Sequence, residues 1–480
     1  MDSPRPHLSR VLGRADLTLF LIAALVNLNS VPVVANLGPA ALGFWLVGFV
    51  LFFLPQAVAV LELSARFPRE GGIYQWNKTA FGDFHGFVSG WFYWSNNIFY
   101  IPTLLFYIAG FTAFLAQGWF PGLGENSLYV AALSLGLLWV ITGLNIRGLG
   151  VGKWVQNVGA LGTFLTTVII FAVALAALSA NGSANDVSAA TLLPDFTDWA
   201  GLSLLSVVCL NYVGLELGPV LSEEIKDPRR TIPRAVVIAG ASTVALYLIT
   251  TFALQATIPA SEIGVIDGIL QGVQRAAAEM GILWVVVPIA LLMILNAGGN
   301  ASAWLAGSAR IPFVIGLDRY FPPVFGRLHP SYGTPYVALV VQALASSLFI
   351  AVNAVGANVH DMYLILLQTT VVLQLIPYLY MFGALIRVRR TPGRFGAEEG
   401  FFARSWLCYL GGAVGFLMTA LGITMAFIPS AVVADPVGFE MKLILGVLAF
   451  LLPALLIYRW NTRKSSLPLG VPTIPRAEEE

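Results

Sequence analysis

The chain has 480 residues, of which 58% are hydrophobic and 11% charged, with a formal net charge of +1. A soluble domain carries roughly 25% charged residues, so this composition excludes an ordinary soluble globular protein, and the near-neutral balance gives no basis for nucleic-acid binding. The two cysteines, Cys209 and Cys408, fall inside apolar runs and pair with no neighbouring ligand, which leaves neither a metal centre nor a disulfide framework to propose.

Twelve apolar runs follow one another at about 17–37, 40–63, 86–118, 127–145, 155–180, 199–220, 233–258, 282–308, 336–355, 360–386, 405–429 and 440–460. Each is near the ~20 residues that a helical span requires. The expected fold is an all-α polytopic membrane protein with about 12 transmembrane helices. No long linker divides it. Residues 1–16 form a cytoplasmic N-terminal segment, 17–460 the transmembrane domain and 461–480 a cytoplasmic tail. The first run lacks a small-residue cleavage site and is expected to stay in place rather than be removed as a signal peptide. With the N-terminus inside, 24 of the 26 Lys and Arg residues fall on the cytoplasmic side, leaving Arg275 and Lys442 outside. That asymmetry predicts a cell inner membrane protein with both termini cytoplasmic.

In the first span, Asn27, Asn29, Ser30 and Pro32 place amides, a hydroxyl and a helix breaker near mid-membrane. After the second span, Arg66–Phe84 is amphipathic and aromatic and suits a short helix in the cytoplasmic interface. The third span carries Tyr93 and Asn97 four apart on one helical face, while Trp91 and Trp94 read as lipid-belt aromatics. The sixth span is interrupted by Asn211, Tyr212, Gly214, Glu216, Gly218 and Pro219. A carboxylate beside helix breakers inside a span is expensive in lipid and is expected to face a cavity. Charges in the loop Glu223–Arg230 either latch an inward gate or are merely solvated. Ala260–Met280 is expected to form a short outer helix. The eighth span offers Asn300 among small residues whose glycines suit close helix packing, Leu317–Ser331 is a second interfacial segment, and the tenth span offers Tyr363, Gln368, Gln374 and Tyr378, with Gln374 nearest its middle.

Two interrupted spans in corresponding positions, five apart, point to the binding site of an inverted-repeat transporter. The repeats are expected at about 17–180 and 199–386, a 5+5 arrangement, with two additional C-terminal helices at about 405–460. Helix kinks and close packing are the plainer explanation of Gly and Pro in either span alone.

The segments Glu62–Gly72, Tyr212–Pro233 and Ser302–Pro323 occur in an order and spacing that resembles the amino acid–polyamine–organocation superfamily of permeases. The run Phe52–Pro55 before Glu62 looks most like its bacterial glutamate/γ-aminobutyrate antiporter branch. The resemblance implies a secondary active transporter of amino acids or related amines, working by alternating access as an antiporter, with no enzyme activity and no cofactor. It also implies a site between the first and sixth spans and the third, eighth and tenth. Two departures stand out: a Lys that many relatives carry in the fifth span is replaced near its register by Asn157 or Thr163, and the tail is too short for a plug. A polyamine or amine uptake permease and an amino-acid sensor with a transporter fold are the rival readings. A homo-oligomer is compatible with the sequence.

An amino acid needs donors for its carboxylate and acceptors for its ammonium. The unwound first span at Asn27–Val31, with the positive end of its second half-helix, suits the carboxylate, and carbonyls freed near Asn211–Gly214 suit the ammonium. The candidate substrate residues are therefore Asn27, Asn29, Ser30, Val31, Tyr93, Asn97, Asn211, Tyr212, Gly214, Glu216, Asn300 and Gln374. Glu216 has three readings: acceptor for the ammonium, carrier of a coupling proton, or fixed acceptor for freed backbone. Tyr212 reads equally as an aromatic gate or as packing.

Overall fold

The computed structural model describes residues 10–265, 267–355, 359–391, 393–395, 399–402, 404–429 and 436–464. Of the expected terminal segments 1–16 and 461–480, residues 1–9 and 465–480, with Arg5 and Arg476, lie outside the described residues, as does the side chain of Tyr363. Among the described residues, eleven helices are long and apolar enough to cross a membrane. The sixth run is cut into short pieces, Trp199–Leu202, Leu205–Asn211 and Leu217–Val220. The protein is an all-α, multi-pass membrane protein, as the composition requires.

The first span is also broken. One half runs Arg14–Leu25; Val26 and Asn27 leave the helix at φ/ψ of −91/98° and −102/88°, a single 3₁₀ turn covers Leu28–Ser30, and helix resumes only over Val31–Ala35. Pro32 sits at the start of that second piece, where its missing N–H costs nothing. In the sixth span the breaker is Gly214, whose φ of 133° is open to glycine and strained for any L side chain. The two breaks touch: the Ser30 hydroxyl donates to Asn211 Oδ1.

The remaining spans build a frame around these two. The fifth (Leu149–Asn181) and eighth (Val286–Ser308) cross at Gly159 and Gly299, where an added Cβ would lie 2.6–2.7 Å from the opposing Cα. That approach is possible only without side chains, which accounts for Gly299 as a packing residue. The third span is a continuous helix over Asp83–Ala116. Its Trp91 and Trp94, read from the sequence as lipid-belt residues, are instead buried at 8% and 6% exposure. Trp91 donates its indole N–H to the Phe450 carbonyl at 2.9 Å, and both rings pack on Phe321.

Two interfacial expectations are corrected. Gly72–Phe81 is a helix, but Ile73, Tyr74 and Trp76 are fully buried, so it packs into the protein rather than lying on lipid. Leu317–Ser331 holds only one 3₁₀ turn, Pro323–Gly326, because Pro322 and Pro323 prevent a longer helix. The outer segment does form a helix, Gly268–Glu279, with Arg275 paired to Glu262 at 2.7 Å.

The end of the bundle that carries the basic loops is tied by buried charge. Glu62 accepts from Arg66 at 2.5 Å, from Arg389 at 3.0 Å and from the Phe402 backbone N–H at 2.9 Å. Glu224 pairs with Arg310 at 2.8 Å, and Glu70 accepts the Glu223 N–H at 3.1 Å. Burial, with the Glu224 charge beside it, holds the Glu70 carboxyl well above the usual carboxylate range, opposed by Arg310. Beneath them Val11 and Leu12 donate backbone N–H groups to the Glu224 carbonyl, and Lys226 returns one to Leu12. Of the loop charges expected as a latch, Glu224 is thus buried and paired, whereas Arg230 and Asp227 form an exposed pair at 3.8 Å.

Candidate functional site

Breaking a helix inside a membrane frees backbone groups that must be satisfied within the protein. At the first break the carbonyls of Ala24, Leu25 and Val26 are each taken by a neutral donor from the seventh or eighth span. Trp304 Nε1 and Asn300 Nδ2 donate to Ala24 O at 2.9 and 3.2 Å, Tyr247 OH to Leu25 O at 2.7 Å, and Asn296 Nδ2 to Val26 O at 3.1 Å. Asn296 also reaches Thr163 Oγ1 at 2.6 Å, an amide–hydroxyl pair at the fifth-span register singled out from the sequence. Asn157, the other residue near that register, donates instead to Asp16, which Lys153 also holds at 3.0 Å. Tyr247 bridges the breaks, since its hydroxyl also contacts the Asn211 carbonyl at 3.1 Å and accepts the Asn27 N–H at 3.1 Å.

The sixth break is organised by Glu216, which is fully buried. Tyr93 OH donates to its Oε1 at 2.8 Å, Gln56 Nε2 and the Gly214 N–H to its Oε2 at 3.1 and 3.2 Å, and the Tyr378 hydroxyl bonds it as well. Four donors from the second, third, sixth and tenth spans therefore converge on one carboxylate. Among the described residues no cation takes part in this cluster.

Beside the breaks lies a small cavity of about 30 Å³, walled by Asn27 and Ser30 of the first span, Asn211 and Val213 of the sixth, Trp304 of the eighth and Thr370 and Gln374 of the tenth. The third span contributes Asn96, Tyr100, Thr103 and Tyr107. Asn96 Nδ2 donates to Gln374 Oε1 at 2.8 Å, which leaves Asn96 Oδ1 and Gln374 Nε2 buried without a partner among the described residues. Exchanging O and N of both amides preserves the count, so in either assignment the pair offers the cavity one acceptor and one donor.

Of the twelve residues singled out from the sequence, Asn27, Ser30, Asn211 and Gln374 are on this wall. The others are not. Asn29 is buried behind it, its amide on Asn27 Oδ1 and its carbonyl accepting from Tyr107 OH. Val31 is within the second half-helix, and that helix, five residues long, is too short to present a substantial dipole end. Tyr93, Gly214 and Glu216 belong to the carboxylate cluster. Asn97 donates back to the Tyr93 carbonyl one turn away. Asn300 is used up between Ala24 O and Tyr100 OH. Tyr212 donates to Trp45 O at 3.0 Å and packs edge-on against Trp45 and Tyr247.

Sequence reasoning missed Asn96, Tyr100, Thr103 and Tyr107. Their spacing of four, three and four is one face of a helix, and it was the available signal. Reading Tyr93 and Asn97 as a face selected the neighbouring stripe, which serves Glu216. Gln368 and Tyr378 of the tenth span are likewise engaged within the protein, Gln368 with Ser206 Oγ and Tyr378 with the Gly214 N–H.

Residues 12–451 match the amino acid permease family model. The chain is 27% identical to an uncharacterized transporter of Legionella pneumophila, over 92% of this chain and 96% of that one. It is 26% identical to a probable agmatine/putrescine antiporter of Lactococcus lactis, covering 75% and 77% of the two chains, and 25% identical to a glutamate/γ-aminobutyrate antiporter of the same species, covering 90% and 86%.

Proposed function

Starting from a chain that belongs to the amino acid permease family, and so is a transporter rather than an enzyme, we propose that it exchanges small zwitterionic amino acids across a cell inner membrane by alternating access. The observation that carries this is the charge balance of the cavity. Among the described residues its wall holds amides, hydroxyls and apolar groups but no carboxylate, guanidinium or ammonium. The nearby Glu216 is already committed to four donors. An uncompensated charge in such a setting is expensive, whereas a zwitterion supplies its own counter-charge. The unpartnered amide atoms of Asn96 and Gln374 give its two ends one acceptor and one donor, beside the Ser30–Asn211 contact where the broken spans meet.

A volume near 30 Å³ holds a water or two. Binding an amino acid therefore requires the first and sixth spans to separate from the third and tenth, which is the motion that alternating access needs. Two repeats, 17–180 and 199–386, would supply it by moving relative to each other. Glu216 is assigned the structural role, holding the sixth-span break to its neighbours.

A thermal-shift series on the purified protein tests the substrate class, because a ligand that binds the native state raises apparent stability. Zwitterions, γ-aminobutyrate among them, are expected to raise the melting temperature, while agmatine and putrescine leave it unchanged. The reverse order would replace this reading with polyamine exchange. Orientation is tested with reporter fusions: Arg230 and Arg390 inside, Asn181 and Ser261 outside, with any reversal removing the twelve-span, termini-inside topology.

A further inference from the structure

The tenth span ends in four arginines that are used in two different ways. Arg389 turns inward to Glu62 and the Phe402 carbonyl. Arg387, Arg390 and Arg394 are exposed, and none has an acidic partner among the described residues. Arg387 and Arg390 lie one turn apart on the helix and Arg394 in the turn after its end. The three edge a groove of about 1010 Å³ between the tenth span, the eleventh span and the start of the third.

The groove has two chemistries along its length. Near the helix end it is basic: Arg387, Arg390 and Arg394 line it, with the Arg387 guanidinium 5.4 Å from the Phe81 ring centroid, and His85 meets the Tyr380 hydroxyl at 3.2 Å. Deeper along the span, its wall is Ile376, Leu379, Ile386 and Phe416, all apolar. Such a surface at the edge of a bilayer complements an amphiphile with an anionic head and hydrocarbon tail. A small soluble anion would satisfy the arginines but leave the apolar wall unused. Basic residues placed only to orient the chain would need no groove.

We propose that this groove binds an anionic phospholipid, its phosphate on Arg387, Arg390 and Arg394 and an acyl chain along Leu379 and Phe416. The site is separate from the central cavity, and Arg389 is not part of it because its charge is spent on Glu62.

Native mass spectrometry of the full chain, with phosphatidylglycerol as the probe, tests this. Retained phosphatidylglycerol is expected on the wild type and not phosphatidylcholine. Each interfacial arginine contributes roughly a fivefold factor, so the triple variant Arg387→Gln/Arg390→Gln/Arg394→Gln should bind about a hundredfold more weakly. Arg319→Gln/Arg327→Gln, which removes two exposed arginines elsewhere, should retain the lipid. Leu379→Trp keeps every charge but fills the apolar wall; it should also lose the lipid, and it decides the matter if the triple variant does not fold. Equal retention by the triple variant and by Leu379→Trp would overturn the site. So would full competition by inorganic phosphate, which would make it a free-anion site, or equal binding of phosphatidylcholine.

Discussion

The two helix breaks face one another, yet they are held by opposite chemistry. The first exposes carbonyls, and the frame answers with neutral donors: Trp304, Asn300, Asn296 and Tyr247. The sixth supplies a charge of its own, Glu216, and draws donors to it from Gln56, Tyr93, Tyr378 and Gly214. The first break is thereby keyed to the seventh and eighth spans, and the sixth to the second, third and tenth. A full charge in a low-dielectric interior strengthens each hydrogen bond it accepts, so one residue at the sixth break does the work of several at the first.

This difference predicts unequal consequences of mutation. Glu216→Ala removes the acceptor on which four buried donors converge and is expected to cost about 3–5 kcal/mol, read as loss of folded protein or a collapsed melting temperature. Glu216→Gln preserves the shape and most acceptors and should fold and still exchange substrate. If the glutamine variant exchanges but loses its response to a pH gradient, Glu216 carries a proton and the structural assignment is wrong.

Where the breaks meet, Ser30→Leu removes the bond to Asn211 and crowds the cavity. Amino acid affinity by calorimetry is expected to fall by about tenfold or more, the equivalent of losing a hydrogen bond with about 1.4 kcal/mol, with expression unchanged. Unaltered affinity in a folded variant would remove the break from the site. At the first break, Asn296→Ala leaves Val26 O and Thr163 Oγ1 without the amide and is expected to cost about 1–2 kcal/mol, less than Glu216→Ala, because the partners lost are neutral. A cost equal to that of Glu216→Ala would erase the contrast between the two breaks.

Below the sixth break, Glu70 sharpens the comparison through pH. Its carboxyl is held above its ordinary range in the folded protein by burial and by Glu224, so the native state keeps a proton that the unfolded chain gives up. Stability is then full below the ordinary carboxylate pKa and declines as pH rises from that value toward the folded one. Glu70→Gln should flatten that decline in melting curves between mildly acid and neutral pH. A wild type that instead gains stability across that interval would show Glu70 to be ionised and paired.

Both breaks were legible in the sequence, because Gly214, Pro219, Pro32 and the run Asn27–Ser30 violate helix and lipid rules at once. The paired placement of the breaks followed from the same signals, and the multi-pass helical fold from the succession of apolar runs. The third-span face was not legible: Tyr93, Trp94, Asn96, Asn97 and Tyr100 spread aromatic and amide groups over nearly half the helix circumference, so periodicity could not say which stripe meets the cavity. The placement of Trp91 and Trp94 failed for a related reason, since a buried aromatic layer under Phe321 and Phe450 has the same composition as a lipid belt. The partners of Glu216 were out of reach as well, Gln56 and Tyr378 lying 160 and 162 residues away from it.

The central claim is that a zwitterion is exchanged through a neutral cavity between the breaks, with Asn96 and Gln374 offering its donor and acceptor. The most direct measurement is counterflow: proteoliposomes preloaded with unlabelled amino acid, external labelled amino acid, and wild type beside Gln374→Leu. The account predicts labelled uptake by the wild type that depends on internal amino acid, and uptake reduced by about tenfold or more in a Gln374→Leu variant that still folds. Undiminished counterflow in that variant, or counterflow driven by internal putrescine and not by amino acids, would contradict it.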